Sequence, residues 1–227
     1  MEFSPEQLAG FIDHTLLKPD AMTAEIEKLC GEALRYHFAS VCVNPVHIPQ
    51  VAQLLKGLQV KPCCVVGFPL GATMPEVKAY ETQTTVKAGA REIDMVINIA
   101  AVKSGDKKAV WKDIEAVCEA ASSKAIVKVI IETCLLSNEE KRFTCEAARD
   151  VGAAFVKTST GFSTAGATAE DVSLMRAVVG KSMGVKASGG IRSLESLLTM
   201  LAAGADRIGS SSGVNIIEGL LNSNECK

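Results

Sequence analysis

The sequence predicts an α/β protein, a single (β/α)8 TIM barrel over residues 1–227 with one additional helix ahead of the first strand. Three observations carry this reading. Eight short β-rich runs alternate with longer helix-like segments from end to end. The returns from helix to strand repeat one phrase, Ala88-Gly89-Ala90, Val151-Gly152-Ala153 and Ala203-Gly204-Ala205, which suits a left-handed glycine cap before a strand. Apolar residues make up 48% of the chain but aromatics only 4%, so the core must be built from Val, Ile, Leu, Ala and Met, as in parallel strands covered by helices. The eightfold count, with no G-x-G-x-x-G after a strand, favours a closed barrel over a doubly wound sheet.

The expected strands are Ile12–Thr15, Ala39–Asn44, Cys63–Phe68, Arg91–Asn98, Ala125–Glu132, Ala154–Ser159, Gly184–Ala187 and Asp206–Gly209. Pro5–Phe11 forms the leading helix, placed to plug the barrel floor. Thr23 opens the helix after the first strand, and Pro75-Glu76 opens a helix running to Ala88. Asp106 precedes the segment with Trp111, Ile114 and Val117. Ser137 with Glu140 makes a capping box. Thr168 and Ser193 cap the next two helices, and Ser212-Gly213 leads into the last.

Composition excludes several function classes. The net charge is −2 and acidic and basic residues are interleaved, so no basic stripe points to nucleic acid. No run of about 18 apolar residues suggests a membrane span, and Met1–Glu6 lacks the layout of a secretory signal. The eight cysteines contain no C-x-x-C pair, and His14, His37 and His47 are dispersed, so neither a metal nor a redox cofactor is expected. Reduced cysteines fit a cytoplasmic protein.

Lysines inside strands carry the chemical signal. Val127-Lys128-Val129, Val156-Lys157-Thr158 and Val185-Lys186-Ala187 each place a lysine opposite in facing to a valine. If the valines face the helices, all three lysines point into the barrel. In the preceding strand Asp94, Val96 and Asn98 share one face. Consecutive strands four to seven then direct Asp94, Lys128, Lys157 and Lys186 inward. One buried lysine is often structural, but three beside a carboxylate are costly without a purpose. An amine crowded by another ammonium in a partly dry site loses hold of its proton, and the neutral amine can attack a carbonyl to form an imine.

Loops rich in glycine and hydroxyls follow these strands: Thr158-Ser159-Thr160-Gly161, Ala187-Ser188-Gly189-Gly190 and Gly209-Ser210-Ser211-Ser212-Gly213. All fall at the C-terminal mouth, where barrels of this kind place active sites and bind phosphate after strands seven and eight. Close backbone approach, hydroxyl donors and a helix N-terminus all favour an anion there. No P-loop is present.

These residues resemble the deoxyribose-phosphate aldolase family over nearly the whole chain. The matching phrases are Ile12–Pro19, Val41–Pro45, Val66–Gly71, Glu92–Val96, Lys128–Thr133, Phe155–Phe162, Val185–Arg192 and Arg207–Ser211. The resemblance implies a metal-free lyase that reversibly cleaves 2-deoxy-D-ribose 5-phosphate to glyceraldehyde 3-phosphate and acetaldehyde in deoxyribose phosphate catabolism. It assigns the Schiff base to Lys157, the weakening of that amine's hold on its proton to Lys186, and a proton relay to Asp94. Gly161, Gly190, Ser211 and Ser212 are to hold the phosphate, Thr160 is to bind the substrate, and Asp13, Thr15 and Cys42 are to line the pocket near the sugar hydroxyls. It leaves Lys128 without a role beyond a deep structural pair with an acid, and it implies a homodimer.

Two departures stand out. Phe162 stands where some members have a lysine at the phosphate site, which predicts weaker phosphate affinity and more tolerance of unphosphorylated aldehydes. Some members also end in a tyrosine that reaches the active site, whereas this chain ends Asn224-Glu225-Cys226-Lys227. A transaldolase-like or fructose-type barrel would need more basic residues at the mouth than these loops supply. A sugar-phosphate sensor would need no nucleophile.

Overall fold

The computed structural model describes residues 3–225, with side chains described to residue 221; Cys226 and Lys227 lie outside them. Eight parallel strands pair in sequence order and close on themselves: β1 (Ile12–Leu16), β2 (Ser40–Val43), β3 (Lys61–Val66), β4 (Glu92–Val96), β5 (Ile126–Ile130), β6 (Phe155–Lys157), β7 (Gly184–Ser188) and β8 (Arg207–Ser210). Closure is made by β1 against β8, with Asp13 beside Gly209. The helices are α1 (Pro5–Ala9), α2 (Thr23–Tyr36), α3 (Ile48–Leu54), α4 (Pro75–Lys87), α5 (Ile99–Lys103), α6 (Lys107–Ala121), α7 (Asn138–Val151), α8 (Ala169–Val179), α9 (Leu194–Ala202) and α10 (Gly213–Glu225).

Local chemistry explains most of the boundaries. Asp106, Ser137, Thr168 and Ser193 each accept a backbone N–H with the side chain and start α6, α7, α8 and α9. Gly152 ends α7 at φ 87°, a left-handed cap that a side chain would resist. The start of α2 differs from expectation. Met22 holds the cap position and Glu25 accepts its N–H at 2.9 Å, so Thr23 is the first helical residue.

Strand parity sorts the side chains into two layers. Ile93, Met95, Val127, Val129, Val156, Val185 and Ile208 point outward and are buried with the helices in one apolar shell. Burial of each such side chain is worth about 1.5–3 kcal/mol, so this shell is the main favourable contribution to folding. The opposite parity points into the barrel, where Asp13, Glu92, Asp94, Lys128, Lys157 and Lys186 are buried.

Several strands are shorter than expected, because the ladder ends where the mouth loops turn away. β4 ends at Val96, and Asn98 leaves the sheet to accept the N–H of Ala101 and start α5. β5 ends at Ile130, two residues before Glu132 adopts a left-handed conformation. α1 packs against α10. No helix among the described residues is long and apolar enough to cross a membrane.

Candidate active site

The barrel interior holds a network of four cations and three carboxylates. Asp94, on β4, is its centre. Its Oδ2 accepts from Lys157 at 2.8 Å and from Lys186 at 2.7 Å, and its Oδ1 accepts from Lys128 at 2.8 Å. Asp13, on β1, accepts from Lys186 and from Arg207, the latter at 2.6 Å. Glu92, two residues before Asp94 on the same face, pairs with Lys128 at 2.6 Å and Arg207 at 3.2 Å. The register makes this possible, since Asp94 lies beside Lys128 and Lys157 beside Lys186. Gly209 on β8 supplies the room: a Cβ there would meet Lys186 Cε at 3.1 Å and Ser188 Cβ at 2.9 Å.

Electrostatics inside this network is dominated by partners rather than by burial. Burial alone would raise the Asp94 carboxyl, but the ammonium groups of Lys128, Lys157 and Lys186 outweigh it and hold the group well below the carboxylate range. Burial alone would lower Lys186, yet the Asp13 and Asp94 carboxylates hold its proton more tightly than usual. Lys128 is raised for the same reason. Lys157 and Lys186 do share a wall of the barrel, but they meet through Asp94 Oδ2 rather than directly. The repulsion expected from two bare ammonium groups is therefore largely neutralised.

A cavity of about 250 Å³ opens above this network at the C-terminal mouth. Thr15, Lys157, Thr160, Gly161, Gly190 and Ser211 are on its wall. Of the three interior lysines only Lys157 reaches it. Asp13, Asp94, Cys42 and Lys186 sit fully buried beneath. Ser212 is not on the wall, and its N–H is bonded to Ser210 Oγ at 3.0 Å. Phe162 is 55% exposed at the rim, with its ring edge-on to Phe68 at 5.2 Å.

Cys42 and Cys63 face inward on neighbouring strands. A hydrogen bond from Cys63 lowers the Cys42 thiol against the effect of burial, while burial pushes Cys63 well up. Their sulfurs and a carboxylate oxygen of Asp94 lie within 4.8 Å of one another, the spacing of a metal-ligand set. Three ammonium groups already bond this carboxylate, an environment that repels a cation.

Glu92, Arg207, Cys63 and Glu132 were not anticipated as parts of the site. Parity gave a signal for two of them. Glu92 precedes the inward Asp94 by two residues, and Arg207 lies beside Lys186 in the register.

Comparison with known proteins identifies the family. A family profile described as DeoC/LacD family aldolase matches residues 8–219. A Clostridium perfringens protein named deoxyribose-phosphate aldolase is 59% identical over 94% of this chain and 96% of its own length. A Geobacillus protein of the same name is 59% identical over 93% of this chain and 95% of its own. The tetrameric deoxyribose phosphate aldolase from Aeropyrum pernix superposes with a TM-score of 0.89 at 40% identity, covering 96% of this chain and 92% of that one. With a matching profile over most of its length and relatives this similar, the chain belongs to the DeoC/LacD aldolase family.

Proposed function

We propose that this chain reversibly cleaves 2-deoxy-D-ribose 5-phosphate to D-glyceraldehyde 3-phosphate and acetaldehyde through an imine on Lys157. The observation that carries the residue assignment is the position of Asp94 Oδ2 between Lys157 and Lys186, directly below a cavity that Lys157 reaches and Lys186 does not.

In this reading the uncharged Lys157 amine attacks the C1 aldehyde of the open-chain sugar. The carbinolamine loses water and leaves a protonated imine. The C3 hydroxyl gives up its proton, the C2–C3 bond breaks, and its electron pair flows into the imine to form an enamine. Glyceraldehyde 3-phosphate departs. The enamine takes a proton at C2, and water hydrolyses the imine to release acetaldehyde. Asp94, hydrogen-bonded to the Lys157 nitrogen, is placed to exchange protons with that nitrogen and, through water, with the substrate hydroxyl. Charge counting supports Lys157 as the amine that becomes neutral. Lys128, Lys186 and Arg207 then balance Asp13, Glu92 and Asp94, and the Asp13 and Asp94 carboxylates hold the Lys186 proton more tightly than usual.

The phosphate is assigned to the wall formed by Gly161, Gly190 and Ser211, near the start of α10, where backbone N–H groups and the helix dipole favour an anion. Asp13 is assigned a different task from the one expected. Both its oxygens are engaged by Lys186 and Arg207, so it holds Lys186 rather than a sugar hydroxyl. Self-association belongs to the same proposal. Leu70, Met74, Val77 and Tyr80 form an exposed apolar strip on α4 and the segment before it, and the Aeropyrum pernix relative is a tetramer. Sedimentation reads the state of this chain. A cytoplasmic location fits the seven free cysteines among the described residues.

Borohydride reduction in the presence of acetaldehyde, followed by peptide mass mapping, tests the central step. A two-carbon adduct on Lys157 is the expected result. An adduct on Lys186 or Lys128 instead would reverse the assignment, and no adduct anywhere would end the imine mechanism. EDTA should leave the rate unchanged.

A further inference from the structure

Just past β5 the chain does something that neither the mechanism nor the sheet requires. Glu132 adopts φ 56° and ψ 67°, a left-handed conformation uncommon outside glycine. Glu132 is only 2% exposed, and its carboxylate takes part in no ion pair among the described residues. It accepts instead from the Thr160 hydroxyl at 2.5 Å and from the Thr160 backbone N–H at 3.3 Å. The Thr160 oxygen in turn accepts the N–H of Phe162 at 3.0 Å. A strained backbone and a buried carboxylate without a counter-charge are both unfavourable. Apart from a 3.9 Å contact from the Cys134 thiol, the carboxylate acts on a single loop.

That loop is the one that follows Lys157. Two backbone bonds already tie the segment after β5 to it, Ile131 N–H to Lys157 O at 3.0 Å and Thr133 N–H to Thr158 O at 2.9 Å. They act at residues 157 and 158. What the Glu132 carboxylate adds is control of residues 160 to 162, where the chain has turned onto the cavity wall. Both donors of Thr160 are used up on Glu132, so Thr160 has neither left for a phosphate.

We propose that Glu132 is the positioning residue for the phosphate end of the substrate. By gripping Thr160 it sets the conformation of Gly161 on the wall and keeps Phe162 on Phe68 at the rim. Thr160 shapes the anion site and is not a ligand in it. This rests on the reading above that the phosphate sits on the Gly161 side of the cavity.

The test compares cleavage of 2-deoxyribose 5-phosphate and 2-deoxyribose by the wild-type protein, Glu132→Gly and Glu132→Gln. Glycine accepts the left-handed backbone without strain, so this variant removes the carboxylate and leaves the turn intact. Glutamine keeps an acceptor for Thr160. In Glu132→Gly the KM for the phosphorylated sugar should rise ~10-fold or more, while its kcat and the KM for the unphosphorylated sugar stay within ~3-fold. Glu132→Gln should stay within ~3-fold of wild type for both sugars. An unchanged KM in Glu132→Gly, an equal rise for both sugars, or a glutamine variant as impaired as the glycine variant would each overturn the inference. Should Glu132→Gly not fold, Thr160→Val takes its place beside Thr160→Ser. The valine variant should show the same phosphate-specific rise and the serine variant should not, and a wild-type KM in Thr160→Val overturns the proposal. A wild-type protein that does not prefer the phosphorylated sugar would remove the phosphate reading itself. Glu132→Gly that keeps that preference would remove only the role of Glu132.

Discussion

Two of the places where the molecule buries lysine against aspartate behave in opposite ways. Between α4, α6 and the end of β4, Lys78 meets Asp113 at 2.7 Å, with both side chains at 0% exposure. Lys78 also donates to Val96 O, and Asp113 accepts the N–H of Asn98. This pair is closed and one-to-one. Burial is the leading influence there, lowering Lys78 and raising Asp113. Inside the barrel, Asp94 is shared by three lysines, and charge outweighs burial: Asp94 is driven down while Lys186 and Lys128 are driven up. Burial of a lysine therefore does not by itself mark chemistry. What marks it is a shared carboxylate, an unequal count of charges and an opening to a cavity. Both sites touch β4. The outer pair pins its end, and the inner network uses its face.

The largest expected effects separate these two sites by activity. Lys157→Met should lose at least ~10⁴-fold in cleavage rate, because it removes the nucleophile. Asp94→Asn should lose about 10²–10⁴-fold, the range for a misplaced acid–base group. Replacing the outer pair together, Lys78→Met with Asp113→Leu, should leave kcat within about 3-fold. Steady-state kinetics with purified variants reads all three. A double outer variant as inactive as Asp94→Asn would show that the two sites are one functional unit.

Stability reverses the ranking. Asp113→Ala alone should cost about 3–5 kcal/mol, because Lys78 would remain buried without its partner. The double replacement should recover most of that loss, since two apolar side chains need no hydrogen bonds. Urea unfolding followed by circular dichroism measures both. Equal destabilisation by the single and double variants would mean that the Lys78 bond to Val96 O, not the ion pair, holds β4 in place.

These contrasts also show what the sequence could and could not reveal. Alternation within Val-Lys-Val and Ile-Asp-Met places Lys128, Lys157, Lys186 and Asp94 inside the barrel, because parity is a local property of a strand. Strand order and closure follow from the regular βα alternation. Lys78 carries no such mark. It lies on α4, a helix with scarcely any amphipathic pattern, and its partner is 35 residues away on α6. Glu132 reads as the end of a strand, since nothing local announces a left-handed glutamate held by a threonine 28 residues later. Side-chain partnership across elements is set by packing, and packing is a property of the whole chain.

Acid sharpens the comparison further. Asp13 and Asp94 are both held below the ordinary carboxylate range in the folded protein, so the unfolded chain binds more protons than the folded one. Their contribution to stability is fully present above about pH 4 and is lost as pH falls through and below that value. Asp113 is raised instead, so the folded chain holds that proton more firmly, and its contribution grows as pH falls toward the same region. Unfolding midpoints in urea across pH 3 to 7 should therefore fall with acid in the wild type. They should fall less steeply in Asp94→Asn and more steeply in Asp113→Asn. Parallel profiles for the three proteins would count against this division of charge.

The smallest effect is expected at the rim, where solvent weakens every charge. Phe162 is 55% exposed, and its contact with Phe68 is one edge-on ring pair. Phe162→Lys would add a cation beside Gly161 at the proposed phosphate end. An exposed charge of this kind is worth at most about 1 kcal/mol, so the KM for 2-deoxyribose 5-phosphate should fall only about 2–5-fold. Screening should remove most of that gain at high salt, and the KM for unphosphorylated 2-deoxyribose should not improve. Loss of the ring pair costs about 0.5–1.5 kcal/mol of packing, which a small drop in the unfolding midpoint would register. The buried carboxylate of Glu132 lies behind the same loop and offers the new lysine no exposed partner, so the added charge acts on the substrate or on nothing. A salt-independent fall in KM, or an equal fall for both sugars, would place the phosphate elsewhere on the cavity wall.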